Sequence, residues 1–242
     1  MLARIKGLGV TTSLDMARPD PESAAGRADW RTVLTQALPH VDVFLPSAEE
    51  ILFMMGRCRS KQLQNIGNSE SDSLVIPDAE TLRSLAEELI GMGTAIVVLK
   101  LGEQGLYLRT TGDSARLRAM GACAPPNPAN WLNRELLAPC FVVRVAGTTG
   151  AGDCTIAGFL NGLLLGMTPE QTLNGAVAVG ACGVEKRDAT SGVPSWREVQ
   201  RRMSAGWPRH PVKPAMPEWS EESRTGLWKG PSDRFSAQTD KH

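Results

Sequence analysis

Apolar residues along the chain alternate between short dense runs and longer stretches at helical spacing, which predicts strands followed by helices. Gly9 to Leu14 is the first expected strand, ending at Asp15. Trp30 to Leu38 shows helical spacing, and Val41 to Leu45 is the second strand. Glu49 to Met55 is a short helix ending near Gly56. Pro77-Asp78 starts a helix through Leu82, Leu85, Ala86 and Leu89, stopped by Gly91 and Gly93. Ala95 to Leu99 is the third strand. Leu106-Tyr107-Leu108 and Leu117 to Met120 are expected to pair antiparallel, and Val142 to Val145 to form a further strand. A glycine-rich turn and a long apolar segment through Leu165 come next, with helices near 169–186 and 195–204.

Strands alternating with helices predict an α/β fold: a doubly wound, mostly parallel sheet with helices on both faces. Ligands of such sheets gather beyond the carboxyl ends of the strands. Asp15, Ser47, Lys100 and the turn at Gly150 all follow strands, so this topology brings them to one edge. Residues 1–204 read as the α/β core, with 57–76 as a polar surface insertion. The remainder, 205–242, is rich in proline and charge and reads as disordered or loosely docked. Trp207, Trp219 and Trp228 stand as a caution to that reading, since a tail with three tryptophans could dock.

Composition narrows the function classes. The 26 basic and 26 acidic residues cancel, giving no support for a nucleic-acid or membrane surface. No apolar stretch approaches the ~20 residues that span a bilayer, and Met1 to Lys6 has no signal-peptide core, so a cytoplasmic location is expected. Five cysteines without a C-x-x-C motif indicate neither a disulfide framework nor a zinc site. Cys154 reads as a packing residue, although a helix N-terminus could lower its thiol pKa. His40, His210 and His242 show no ligand spacing.

The chemistry concentrates in Gly147-Thr148-Thr149-Gly150-Ala151-Gly152-Asp153. Unpaired N–H groups and the helix dipole favour an anion at such a helix start. Gly150, Ala151 and Gly152 are the candidate anion hole, and Asp153 is the candidate general base for a hydroxyl accepting a phosphoryl group. A packing turn with Asp153 as a helix cap is the plainer alternative. No Gly-Lys-Ser/Thr follows, which disfavours a P-loop nucleotidase.

The same run resembles the second signature of the PfkB/ribokinase family of carbohydrate kinases, D-T-x-G-A-G-D. Three other segments resemble that family in the same order. Val43 to Glu50 is similar to its strand and Pro-Asn-x-x-Glu, Val97 to Gly105 to its nucleotide-side strand and turn, and Ala181 to Pro194 to the segment closing its adenine pocket. The likeness covers roughly 8–204. It implies an ATP- and Mg2+-dependent kinase acting on a small-molecule sugar or related alcohol, with Asp153 as base. It further implies nucleotide contacts from Lys100, Gly102, Gly105, Thr149, Gly180 and Ala181, and water-mediated magnesium binding by Glu50.

Each of these has a rival. Ser47-x-x-Glu50 is also a helix capping box, Lys100 could be simply solvated, and Gly180 and Ala181 could serve close helix packing. Two departures stand out. Gly147 replaces an aspartate that helps hold a monovalent cation in ribokinase-like members, so potassium activation by that route is not expected. The family's opening strands, β lid and sugar-binding residues have no counterpart, so the chain looks N-terminally shortened, through a true truncation or a misplaced start. The alternative function is therefore a nucleotide-binding remnant without kinase activity. Oligomeric state is left open, a homodimer being one option.

Overall fold

The computed structural model describes residues 1–56, 77–212, 216 and 218–234. The expected insertion at 57–76 lies outside the described residues. In chain order the elements are α1 (Leu2–Lys6), β1 (Ser13–Leu14), α2 (Trp30–Ala37), β2 (Val43–Phe44), α3 (Ala48–Met54), α4 (Ala79–Gly91) and β3 (Ile96–Lys100). They continue with β4 (Leu106–Thr110), α5 (Ser114–Arg118), β5 (Glu135–Ala138), α6 (Ala151–Leu164), α7 (Pro169–Gly183), α8 (Trp196–Ser204), β6 (Ser220–Glu222) and β7 (Leu227–Lys229).

The strands form one sheet in the order β1-β2-β3-β4-β5-β7-β6. The β1–β2 and β2–β3 pairs are parallel, and the remaining pairs are antiparallel. The sheet is therefore mixed, with its parallel part confined to the strands joined by helical crossovers. Alternation along the strands fills two cores. Val43, Ile96, Val98, Leu106, Leu108 and Leu136 pack in one with Phe159 of α6 and Leu173 and Val177 of α7. Phe44, Val97, Leu99, Tyr107 and Leu137 pack in the other with residues of α2, α3 and α4. Both faces are thus covered by helices, as the pattern predicts.

Three expectations change. Val142 to Val145 is not a strand. Phe141 makes only an isolated bridge to Arg209, the Val142 N–H is taken by Pro208 O at 2.8 Å, and Val145 is exposed. The preceding strand is β5, between Asn133 at φ +50° and Pro139. Leu117 lies in α5 rather than a strand, because Asp113 caps that turn by accepting from Ala115 N.

The expected loose tail instead supplies β6 and β7. Trp219 is buried with its ring 6.0 Å from that of Tyr107, and Leu136 and Leu137 of β5 pair with Lys229 and Trp228. Trp207 stacks on Phe141 at 4.4 Å, and the Arg202 guanidinium lies over the Trp207 ring at 3.6 Å. The aromatic burial outweighs the prolines, of which Pro208 and Pro211 precede β6 and Pro231 follows β7.

Candidate active site at the mouth of α6

Helix α6 begins at a left-handed glycine: Gly150 is its N-cap with φ +75° and no side-chain cap. A Cβ there would also lie 2.5 Å from Ala189 Cβ, so the turn packs directly on the loop after α7. That loop is held by Asp188, whose carboxylate accepts from the Ser191 hydroxyl and from the N–H groups of Thr190 and Ser191. These bonds, the Ser191 side chain first, lower its pKa from 3.8 to about 2.

The Ala151 N–H is taken up by Thr148 O at 3.1 Å. The N–H groups of Gly152 and Asp153 have no backbone acceptor among the described residues, as the first turn of a helix dictates. Of the Gly150, Ala151 and Gly152 N–H groups expected to form an anion hole, only that of Ala151 has a backbone acceptor among the described residues. Asp153 is exposed in that first turn, and no described residue donates a hydrogen bond to its carboxylate. A helix dipole favours a negative side chain at this spot.

Lys100 closes β3 and reaches the same mouth. Its Nζ lies 3.7 Å from where a Cβ on Gly152 would stand. Lys100 N also bonds Pro46 O at 3.0 Å, and a bridge pairs Lys100 with Ser47. Ser47 caps α3 in a reciprocal capping box: Glu50 N donates to Ser47 Oγ at 3.3 Å, and Ser47 N donates to Glu50 Oε2 at 2.8 Å. The capping role of Glu50 is therefore real and engages one of its two carboxylate oxygens.

The other expected contacts sit apart or are tied into packing. Thr149 is exposed in the turn before α6. Gly102 lies in the short turn after β3, where its carbonyl accepts from Cys140 Sγ at 3.5 Å. Gly105, at φ +104°, approaches β5 so closely that a Cβ would fall 1.9 Å from Ala138 O. Gly180 and Ala181 are buried in α7, and a Cβ on Gly180 would lie 2.2 Å from Thr155 Oγ1 of α6. Gly180 therefore serves the α6–α7 seam, and Ala181 is part of the core on that side of the sheet. Cys154 is buried, and burial followed by the Asp153 charge pushes its thiol pKa up. The helix end does not activate it.

Hollows of about 520 and 530 Å3 flank Glu185. One is lined by Arg144, Val145, Ala146 and Arg187, the other by Cys182, Gly192, Pro194 and Arg201 among others. Neither contains Asp153. Backbone N–H groups and one ammonium can grip a phosphate, and both meet at the start of α6. No group of three or more His, Cys, Asp or Glu fit to hold a metal occurs among the described residues. Magnesium arriving with a nucleotide needs only one or two carboxylates, which Glu50 and Asp153 can offer. No described helix is long and apolar enough to cross a membrane.

A mixed sheet covered by helices on both faces, with Lys100 and the start of α6 meeting beyond the end of β3, defines an α/β protein. The model of the pfkB family carbohydrate kinases matches residues 14–196, more than half of the chain, and the chain belongs to that family. It is 27% identical over 184 residues to an uncharacterized sugar kinase of Archaeoglobus fulgidus, covering 76% of this chain and 54% of that protein. Its fold matches a putative ribokinase II from E. coli in complex with ATP and magnesium at TM-score 0.54 and 19% identity, covering 84% of this chain and 52% of that one. It also matches Arabidopsis thaliana ribokinase complexed with ribose and ATP at TM-score 0.55 and 18% identity, covering 83% and 49%. The chain thus spans about half the length of the relatives it matches.

Proposed function

We propose that this chain transfers the terminal phosphoryl group of ATP to a hydroxyl of a sugar or sugar-like alcohol. The carrying observation is the meeting of a cation, unpaired amides and an exposed carboxylate at one helix end: Lys100 Nζ stands 3.7 Å from the Cβ position of Gly152, next to Asp153. Magnesium-bound ATP supplies the phosphoryl group and a cation that offsets its charge. Lys100 and the Gly152 and Asp153 N–H groups hold the phosphate oxygens. Asp153 accepts the proton of the attacking hydroxyl as the new P–O bond forms and ADP leaves. Glu50 helps hold the magnesium water shell. A cytoplasmic setting, where ATP is supplied, goes with this reading.

ATP consumption across a panel of sugars, alongside Asp153→Ala, tests it. Sugar-dependent turnover abolished by the substitution supports the reading. A second reading is a protein that binds the nucleotide without kinase activity. ATP binding without turnover on any sugar would favour it.

A further inference from the structure

Lys100 does not face the mouth of α6 alone. Its Nζ lies 2.8 Å from each carboxylate oxygen of Asp15. Asp15 follows β1 and Lys100 ends β3, with β2 between them in the sheet, so the pair reaches across the end of β2. The lysine side chain is 14% exposed and that of Asp15 33%, so the pair is half sheltered and only partly screened. An ammonium has three donors in all, and Asp15 engages it through both oxygens. The same ammonium is the cation nearest Gly152. A carboxylate and a phosphate oxygen ask the same thing of it: a short, charge-assisted hydrogen bond.

We propose that Asp15 is an internal competitor for the phosphate: it fixes Lys100 across the mouth of α6, and an arriving nucleotide must draw the ammonium away from it. The inference rests on the kinase reading above and adds a residue that sets nucleotide affinity. Asp15 holds a flexible side chain in its working direction. Its negative charge also stands beside the place where phosphate charge arrives, and like charges at such range repel. Removing the charge while keeping the shape therefore frees Lys100 and strengthens phosphate binding.

The test is equilibrium binding of magnesium-ATP to the full chain, to Asp15→Asn and to Asp15→Glu, with thermal unfolding in parallel. Asp15→Asn is expected to tighten binding by about tenfold, the effect of one near like charge after screening, while Asp15→Glu stays within about twofold of the parent. Unchanged or weaker binding by Asp15→Asn would overturn the proposal, as would equal tightening by Asp15→Glu; the kinase reading survives either result. If none of the three proteins binds ATP, both readings fall. Because binding alone is measured, the identity of the sugar does not enter.

Discussion

The carboxylates of Glu135 and Asp153 sit in opposite circumstances. Glu135, in β5, is wholly buried and accepts from Arg83 Nε at 3.1 Å, Tyr107 Oη at 3.0 Å and Ser232 N at 2.8 Å. Beside it, buried Arg134 donates to Glu170 and Asp233 and to Asn130 O. Burial, followed by the Glu135 charge, holds the Tyr107 hydroxyl well above its usual pKa. Both carboxylate oxygens of Glu135 are engaged within the fold, and the centre ties the last strand and Asp233 to the sheet. Asp153 has water, a helix dipole and a nearby lysine. Like residue types therefore perform different jobs, and the number of donors already committed tells them apart.

If that distinction holds, damage to the two regions separates cleanly. Glu135→Ala leaves Tyr107 Oη and Arg83 Nε without their shared acceptor, although Arg83 keeps Glu80, and should cost about 3–5 kcal/mol of stability. Urea unfolding would read this, while ATP binding by the folded fraction should persist. Lys100→Met should do the reverse. Unfolding should change little, because a partly exposed ion pair contributes about 0–1 kcal/mol. Phosphoryl transfer should slow by about 100- to 1000-fold, the usual effect of losing one such donor. Transfer at the parental rate would remove Lys100 from the site.

Gly180→Ala probes the ground between them. Its new Cβ meets Thr155 Oγ1 across the α6–α7 seam, and overpacking of this kind costs about 1–3 kcal/mol. Calorimetry should show a lower Tm, with transfer reduced only through the unfolded fraction. The smallest effect concerns pH. The Asp188 pKa is depressed in the folded state, so its contribution is complete above 3.8 and disappears as pH falls through about 2. Asp188→Asn should flatten the acid limb of the stability profile in that window by lowering stability above it, neutral pH included, and change least near pH 2. An unaltered acid limb would show that the loop beneath Gly150 is held by other means.

The sequence made some of this legible and hid the rest for physical reasons. Helices α2, α4, α6 and α7 announce themselves through apolar spacing and caps such as Asp29 and Asp78, both of which accept from the residue three along. The glycine turn is readable because only a few residue types tolerate φ +75°. Strand β5 was not readable: it opens with a charged residue, and the three apolar residues after it end at a proline. Glu135 becomes tolerable in a strand only through Arg83, Tyr107 and Ser232, which are distant in sequence. The tail's place in the sheet depends on similar distant partners. Position alone indicated that Asp15 would reach the shared edge, but its grip on Lys100 emerges only from the parallel order of β1, β2 and β3. The capping box at Ser47 reads identically whether or not Glu50 also serves magnesium.

The most direct measurement pairs ATP affinity with the rate of phosphoryl transfer in Asp153→Asn, which keeps the shape of the side chain and removes its basicity. Binding equal to or tighter than that of the parent, with transfer slowed by about 100- to 10,000-fold, is the expected result. Transfer at the parental rate would contradict the assignment of Asp153 as the base.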